Sequence, residues 1–256
     1  MCIRDSVKSE KIRFGIICGS SHEHDINILQ GLTNSLPKDI LAKCQFVLCG
    51  FDTNGMYREK DAQTGQIRER PIMPQETVWY RYEKVLTDNY KLVSQPYSSF
   101  LHRFIPNMDY PYNDKEIYRR CWTKPINQYA THYNNIDVLL VPLKECDFNK
   151  YKSQLKVIEA GFFHKAIIAQ NFGPYTIDLK PFIKQGNIDE SGNGLLVESK
   201  KNHKQWAKYI TTLVQHPEYI NKMAENLYNT VKDKYSIETI TVKRAEFYES
   251  IVNSKL

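Results

Sequence analysis

The feature that most constrains this chain is a pair of four-residue apolar runs, Val138 to Val141 and Ala166 to Ala169, separated by a segment with helical patterning. A strand with one face in water alternates apolar and polar residues, whereas an unbroken apolar run belongs to a strand covered on both faces. Pro142 stops the first run, and a helix is expected from Ser153 to Phe162 before the second begins. Strand, helix, strand in that order predicts parallel pairing with helices packed on the sheet. Ile12 to Cys18, Phe46 to Cys49 and Leu195 to Val197 read as further strands, each closed by glycine or preceded by the turn Ser191-Gly192-Asn193-Gly194. The fold class that follows is α/β, a doubly wound parallel sheet of Rossmann-like type.

Helices are expected at Asp25 to Leu36, at Asn202 to Val214, from Pro217 to Asp233 and from Ser236 to Val252, so the carboxyl-terminal tail is helical. Residues 52–120 are rich in Tyr, Pro, Asn and charge and read as an insertion, with a helix near Val78 to Leu86 and a strand at Lys91 to Ser94. Met1 to Ser6 carries neither a signal pattern nor a helix pattern and reads as a foreign leader. Residues 1–10 are therefore set apart from a Rossmann-like domain over 11–254 that carries the insertion at 52–120.

The 256 residues suffice for a full core, and 41% of them are hydrophobic. A net charge of +6 and a pI near 8.8 suit an anionic ligand or an acidic membrane surface, without the basic tract that marks nucleic-acid binding. Six cysteines without a C-x-x-C pair, and no secretory signal, point to reduced thiols and a cytoplasmic location, peripheral to the inner membrane face at most. No apolar run is long enough to span a bilayer.

Two places carry candidate chemistry. In Lys152-Ser153-Gln154-Leu155-Lys156-Val157-Ile158-Glu159, helical spacing puts Lys152, Lys156 and Glu159 near one face, with Leu155, Ile158 and Phe162 on an opposite apolar face. The two lysines at i,i+4 repel by roughly 0.2–0.5 kcal/mol unless an anion lies between them; the alternative is a solvated pair with Glu159 bonded to one lysine. The other place is the first turn, Gly19-Ser20-Ser21-His22, where small residues at a helix start leave N–H groups for an anion. His22 is the candidate for work on a leaving group, beside the reading of an unengaged surface histidine. It lacks the G-x-G-x-x-G pattern, so a dinucleotide is not expected. His22 and His24 stand i,i+2, which splays them on a helix, and no metal or other cofactor is expected. The turn at Gly173-Pro174 ends near the same sheet edge and adds Gly173 to the candidates, against the plain reading of a connection.

Taken together, Val138 to Leu143, Phe148 to Ala160, Lys165 to Ala169 and Asn193 to Val197 resemble the donor-binding, carboxyl-terminal half of GT-B glycosyltransferases of the group 1, family 4 type. The resemblance runs over most of residues 11–254. It implies a nucleotide-sugar donor used without a metal, with transfer of the sugar to an acceptor that is a glycan, lipid or protein. Glu159 matches the second glutamate of the family's E-x7-E pattern, which holds the ribose; the first falls at Tyr151. The turn Gly19 to His22 stands where the family carries Arg and Lys. A nucleotide diphosphate needs cationic and N–H partners, which Lys152, Lys156 and the turns supply, so the donor-binding candidates are Gly19, Ser20, Ser21, Lys152, Ser153, Lys156, Glu159 and Gly173. The resemblance also implies an acceptor domain on the amino-terminal side. The alternatives are a non-catalytic nucleotide-binding Rossmann-like module and a scaffold whose helical tail binds a partner.

Overall fold

A computed structural model describes residues 10–101, 113–198 and 202–254. Met1 to Ser6, read as a leader, lies outside the described residues. In chain order the elements are β1 (Ile12–Ile17), α1 (Glu23–Ile26), α2 (Lys38–Leu41), β2 (Cys44–Phe51), β3 (Met56–Lys60), β4 (Ile67–Pro71), α3 (Val78–Thr87), α4 (Gln95–Leu101), β5 (Tyr118–Trp122), β6 (Val138–Val141), α5 (Asp147–Lys150), α6 (Leu155–Phe162), β7 (Ala166–Gln170), β8 (Ile183–Lys184), β9 (Asn187–Ile188), β10 (Leu195–Val197), α7 (Asn202–Gln215), α8 (Glu218–Val231) and α9 (Ile237–Asn253).

Six strands form one sheet in the order β10-β7-β6-β1-β2-β5, and every pair is parallel. The chain starts at the centre, runs outward through β2 to β5, then returns to the other side of β1 for β6, β7 and β10. This is the doubly wound topology. Strand order reverses between β1 and β6, which opens a crevice beyond their carboxyl ends.

Both faces of the sheet are covered, as the unbroken apolar runs require. Phe14, Phe46, Leu48, Leu140 and Ile168 point to one core, shared with Leu29, Tyr82 and Trp206. Their neighbours Val47, Cys49, Leu139 and Ile167 point to the other, shared with Val157 and Ala160 of α6 and Leu227 and Val231 of α8. The period-2 alternation of a strand thus feeds two hydrophobic layers.

Three expectations are corrected. The helix at Asp25 to Leu36 is broken into α1 and two 3-10 turns, because the chain turns extended at Gln30 and Gly31 follows at φ +87°. No strand forms at Lys91 to Ser94. Asp88, Asn89 and Tyr90 all take positive φ after α3 and turn the chain instead. Residues 52–120 do contain a two-stranded antiparallel hairpin, β3–β4, with every residue exposed, together with α3 and α4. Finally, α6 buries Val157, Ala160 and Gly161, while Leu155 is 51% exposed. The face that packs is set by α8 behind it, not by the bulkiest side chains.

Candidate functional site

A cavity of about 310 Å³ lies beside the strand reversal, over the carboxyl ends of β1, β2 and β5, lined by Gly19, His22, Gly50, Lys124, Tyr129 and Lys156 among others. A small hollow at the reversal itself is lined by His22, Asp25, Val141 and Lys156 among others. Gly19 leaves by the end of β1, and a Cβ added there would meet nothing within 4 Å, so the space above the turn is open.

One wall is a carboxylate and its donors. Lys156 sits one residue into α6, and its Nζ donates to Glu159 Oε2 at 3.0 Å and to Tyr129 Oη at 2.8 Å. Tyr133 donates its hydroxyl to the same Glu159 oxygen at 2.6 Å. Burial, with Glu159 beside them, pushes both tyrosine hydroxyls up from their ordinary pKa, so each stays a donor at neutral pH. Tyr129 and Tyr133 lie on the short 3-10 helix that feeds β6. Sequence reading did not single them out, because neither belongs to a motif; the approach of Tyr129 and Tyr133 to Lys156 and Glu159 of α6 is a tertiary contact across 27 and 26 residues.

The other wall is built on Asp25, which is 3% exposed. Its carboxylate accepts from the Lys144 backbone N–H at 2.7 Å and from Asn149 Nδ2 at 3.2 Å, and it faces His22 Nδ1 at 2.9 Å and Lys152 Nζ at 3.6 Å. Burial pushes this carboxyl up, but the bonds from His22 and Lys144 and the Lys152 charge outweigh it and hold the pKa below the ordinary value. Asp25 is therefore a fixed anion at the crevice floor. His22 turns to Asp25 rather than standing free on the surface, and Glu23 is taken by Arg81 of α3 at 2.5 and 2.9 Å. Among the described residues no group of three or more His, Cys, Asp or Glu is arranged to hold a metal ion.

The expected residues separate into groups. Gly19, His22 and Lys156 meet at the cavity, and Glu159 joins them through Lys156. Lys152 and Ser153 precede α6 rather than lying on it, so the i,i+4 lysine pair does not form a helix face. Lys152 reaches the site through Asp25, and Ser153 is exposed. Ser20 and Ser21 are exposed on the turn, whose geometry is fixed from α3: Tyr82 Oη accepts the His22 N–H at 3.0 Å and donates to the Ser20 carbonyl at 3.1 Å. That N–H is thereby committed to a side chain. Gly173, at φ +58°, packs against α5, where a Cβ would lie 3.2 Å from the Asn149 carbonyl oxygen. Tyr151, at the first position of the E-x7-E pattern, is 88% exposed. Cys18 lies in the crevice, where burial pushes its thiol up to about 12, against the pull of Lys156. A thiolate nucleophile at neutral pH is thus disfavoured.

No protein-family model matches the sequence, and no curated protein matches it. Solved structures do. HepE of Anabaena, in complex with UDP and glucose, superposes with a TM-score of 0.59 at 11% identity, over 94% of this chain and 49% of that one. Sucrose-phosphate synthase of Thermosynechococcus elongatus gives 0.60 at 14% identity, over 97% and 47%. The carboxyl-terminal domain of LpcC, a glycosyl transferase group 1 family protein of Francisella tularensis, gives 0.50 at 19%, over 90% and 88%. The fold is that of a GT-B carboxyl-terminal half. The chain spans about half the length of HepE and of the synthase, and most of the isolated LpcC domain. In this fold the strand reversal, and with it the crevice, falls between β1 and β6. No helix among the described residues is long and apolar enough to cross a membrane.

Proposed function

We propose that this chain is the donor-binding half of a glycosyltransferase, taking a nucleotide sugar in the crevice between β1 and β6. The observation that carries the reading is the Lys156–Glu159 pair, held by Tyr129 and Tyr133 at the rim of an open cavity of about 310 Å³. A carboxylate fixed in this way accepts two ribose hydroxyls at once, and the ammonium beside it faces the diphosphate. HepE, of like fold, is complexed with UDP and with UDP-glucose, which favours a uridine nucleotide as the first ligand to try. In this reading Ser20 and Ser21 present the turn to the phosphates, with Lys152 and Ser153 at the mouth, and no metal takes part. The acceptor binds to a separate α/β domain, and the work is done in the cytoplasm.

Tyr151 favours a second reading, a module that binds the nucleotide without turnover, because an exposed phenol replaces a carboxylate at the sugar end. Release of glucose from UDP-glucose by the chain joined to its acceptor domain separates the two. The donor reading itself is tested by calorimetric titration with UDP and UDP-glucose. Hydrogen bonds to a charged group contribute about 1.5–3 kcal/mol, so Glu159→Ala should weaken binding roughly ten- to a hundred-fold. A mutant that binds as tightly as the parent removes Glu159 from the site.

A further inference from the structure

His22 has two ring nitrogens with different fates. Nδ1 lies 2.9 Å from the Asp25 carboxylate, and Asp25 also accepts from the Lys144 backbone N–H in the loop after β6 and from Asn149 of α5. An ionised carboxylate only accepts, so Nδ1 must carry a hydrogen. The neutral ring then holds its one hydrogen on Nδ1 and presents a bare lone pair at Nε2. Nε2 is uncommitted among the described residues, and His22 lines both the 310 Å³ cavity and the small hollow beneath it. A bare lone pair repels a phosphate oxygen, whereas an N–H on the same atom binds it.

We propose that His22 is a protonation-gated anion donor: Nε2 gains a hydrogen only in the imidazolium, so the crevice binds the diphosphate of a nucleotide sugar more tightly at acid pH. The proposal rests on the nucleotide-sugar reading and adds to it a proton and a positioning residue, Asp25. It also follows from Tyr82. Because the Tyr82 hydroxyl takes the His22 backbone N–H, the main chain offers no second, pH-independent donor at this residue.

The charged groups around the ring leave it as the gate. On its own turn Glu23 is neutralised by Arg81, and His24 is exposed. From α6 Lys156 is bonded to Glu159, and from the segment after β5 Lys124 donates to Thr131 at 2.9 Å. Lys152 shares Asp25 with the imidazole. The Cys18 thiol, held near 12, stays neutral across the range that matters. His132 is the other imidazole lining the cavity, so the test must tell the two apart.

The experiment is a titration of the chain with UDP-glucose at pH 6, 7 and 8, since its diphosphate keeps the same charge throughout. With a charge-assisted hydrogen bond gained when the imidazole is protonated, affinity should fall by about five-fold or more from pH 6 to pH 8. His22→Gln supplies a permanent amide donor and should bind with no dependence on pH. Nitrogen-15 NMR of the ring reads the tautomer without any ligand: at pH 8 the hydrogen should lie on Nδ1, and Asp25→Asn should abolish that preference. Binding of the parent that is level from pH 6 to 8, a pH dependence that survives His22→Gln, or a hydrogen found on Nε2 at pH 8 each overturn the proposal while leaving the donor reading intact. If UDP-, GDP-, ADP- and dTDP-sugars all fail to bind at every pH, the donor reading falls and the proposal with it.

Discussion

Glu83 of α3 and Arg120 of β5 form an ion pair in which both side chains are 0% exposed. Arg120 Nε donates to one carboxylate oxygen at 2.6 Å and Nη2 to the other at 3.0 Å, while Tyr118 and Tyr90 donate their hydroxyls at 2.9 and 3.1 Å. Burial lowers the Arg120 pKa and the Glu83 charge raises it, with the net direction upward, so the guanidinium is held charged. Glu83→Ala removes the acceptor of four donors and strands the guanidinium in an apolar interior beside the Phe51 ring, 4.2 Å away. Breaking one side of a buried pair costs about 3–5 kcal/mol. Two phenols also lose their acceptor, so the upper end of that range is expected. Since a domain is stable by only about 5–15 kcal/mol, the variant should lose a third or more of its margin. Urea unfolding followed by circular dichroism gives the number, with the m-value checking that the transition keeps its character. Replacing both partners, Glu83→Met with Arg120→Met, should recover most of the loss, because no charge is then left buried. A single Ala variant that loses under about 1 kcal/mol at unchanged m would refute the reasoning.

Two further outcomes follow from packing and from charge. Gly161→Ala would place a Cβ 2.5 Å from Val231 Cγ2 and 3.2 Å from the Leu227 carbonyl oxygen. Alanine gains up to about 1 kcal/mol of helix propensity, but overpacking costs about 1–3, so a thermal melt should shift down by roughly 2–6 °C. Asp25 has a folded pKa below its unfolded one, so its contribution is present above the unfolded value near 3.8 and is lost as pH falls through the folded value. The melting temperature of the parent should therefore drop more steeply on acidification below about pH 4 than that of Asp25→Asn.

Five of the six strands were legible because they are largely apolar runs, the pattern of parallel strands covered on both faces. The exception is β5, Tyr118–Trp122, because Arg119 and Arg120 interrupt its apolar run, and the sheet's edge strand therefore begins inside the segment read as an insertion. The long helices of the tail were legible for the same kind of reason, since Trp206, Ile210, Met223, Leu227 and Val231 recur at helical spacing and are all buried. The misread places share a cause, which is local backbone geometry that periodicity does not encode. Lys152 was placed on α6 by counting back four residues, but α5 ends at Lys150 and α6 starts only after Gln154. The Lys91 to Ser94 segment has strand composition, yet three successive left-handed residues set its path.

The site divides along the same line. Glu159 and Lys156 are three residues apart on one helix, and their pairing follows from the helical repeat. Asp25 gains its meaning from Lys144 and Asn149, which lie 119 and 124 residues further on. Those contacts exist only because the topology reverses between β1 and β6 and brings two loops to one crevice. The two walls are also complementary in charge: Lys156 offsets Glu159, and Lys152 offsets Asp25. A diphosphate entering such a crevice brings negative charge where the resident cations are already engaged. On the donor reading proposed above it must draw Lys156 from its carboxylate or gain a new donor, either from the exposed turn at Ser20 and Ser21 or from the open nitrogen of His22 once the ring is protonated.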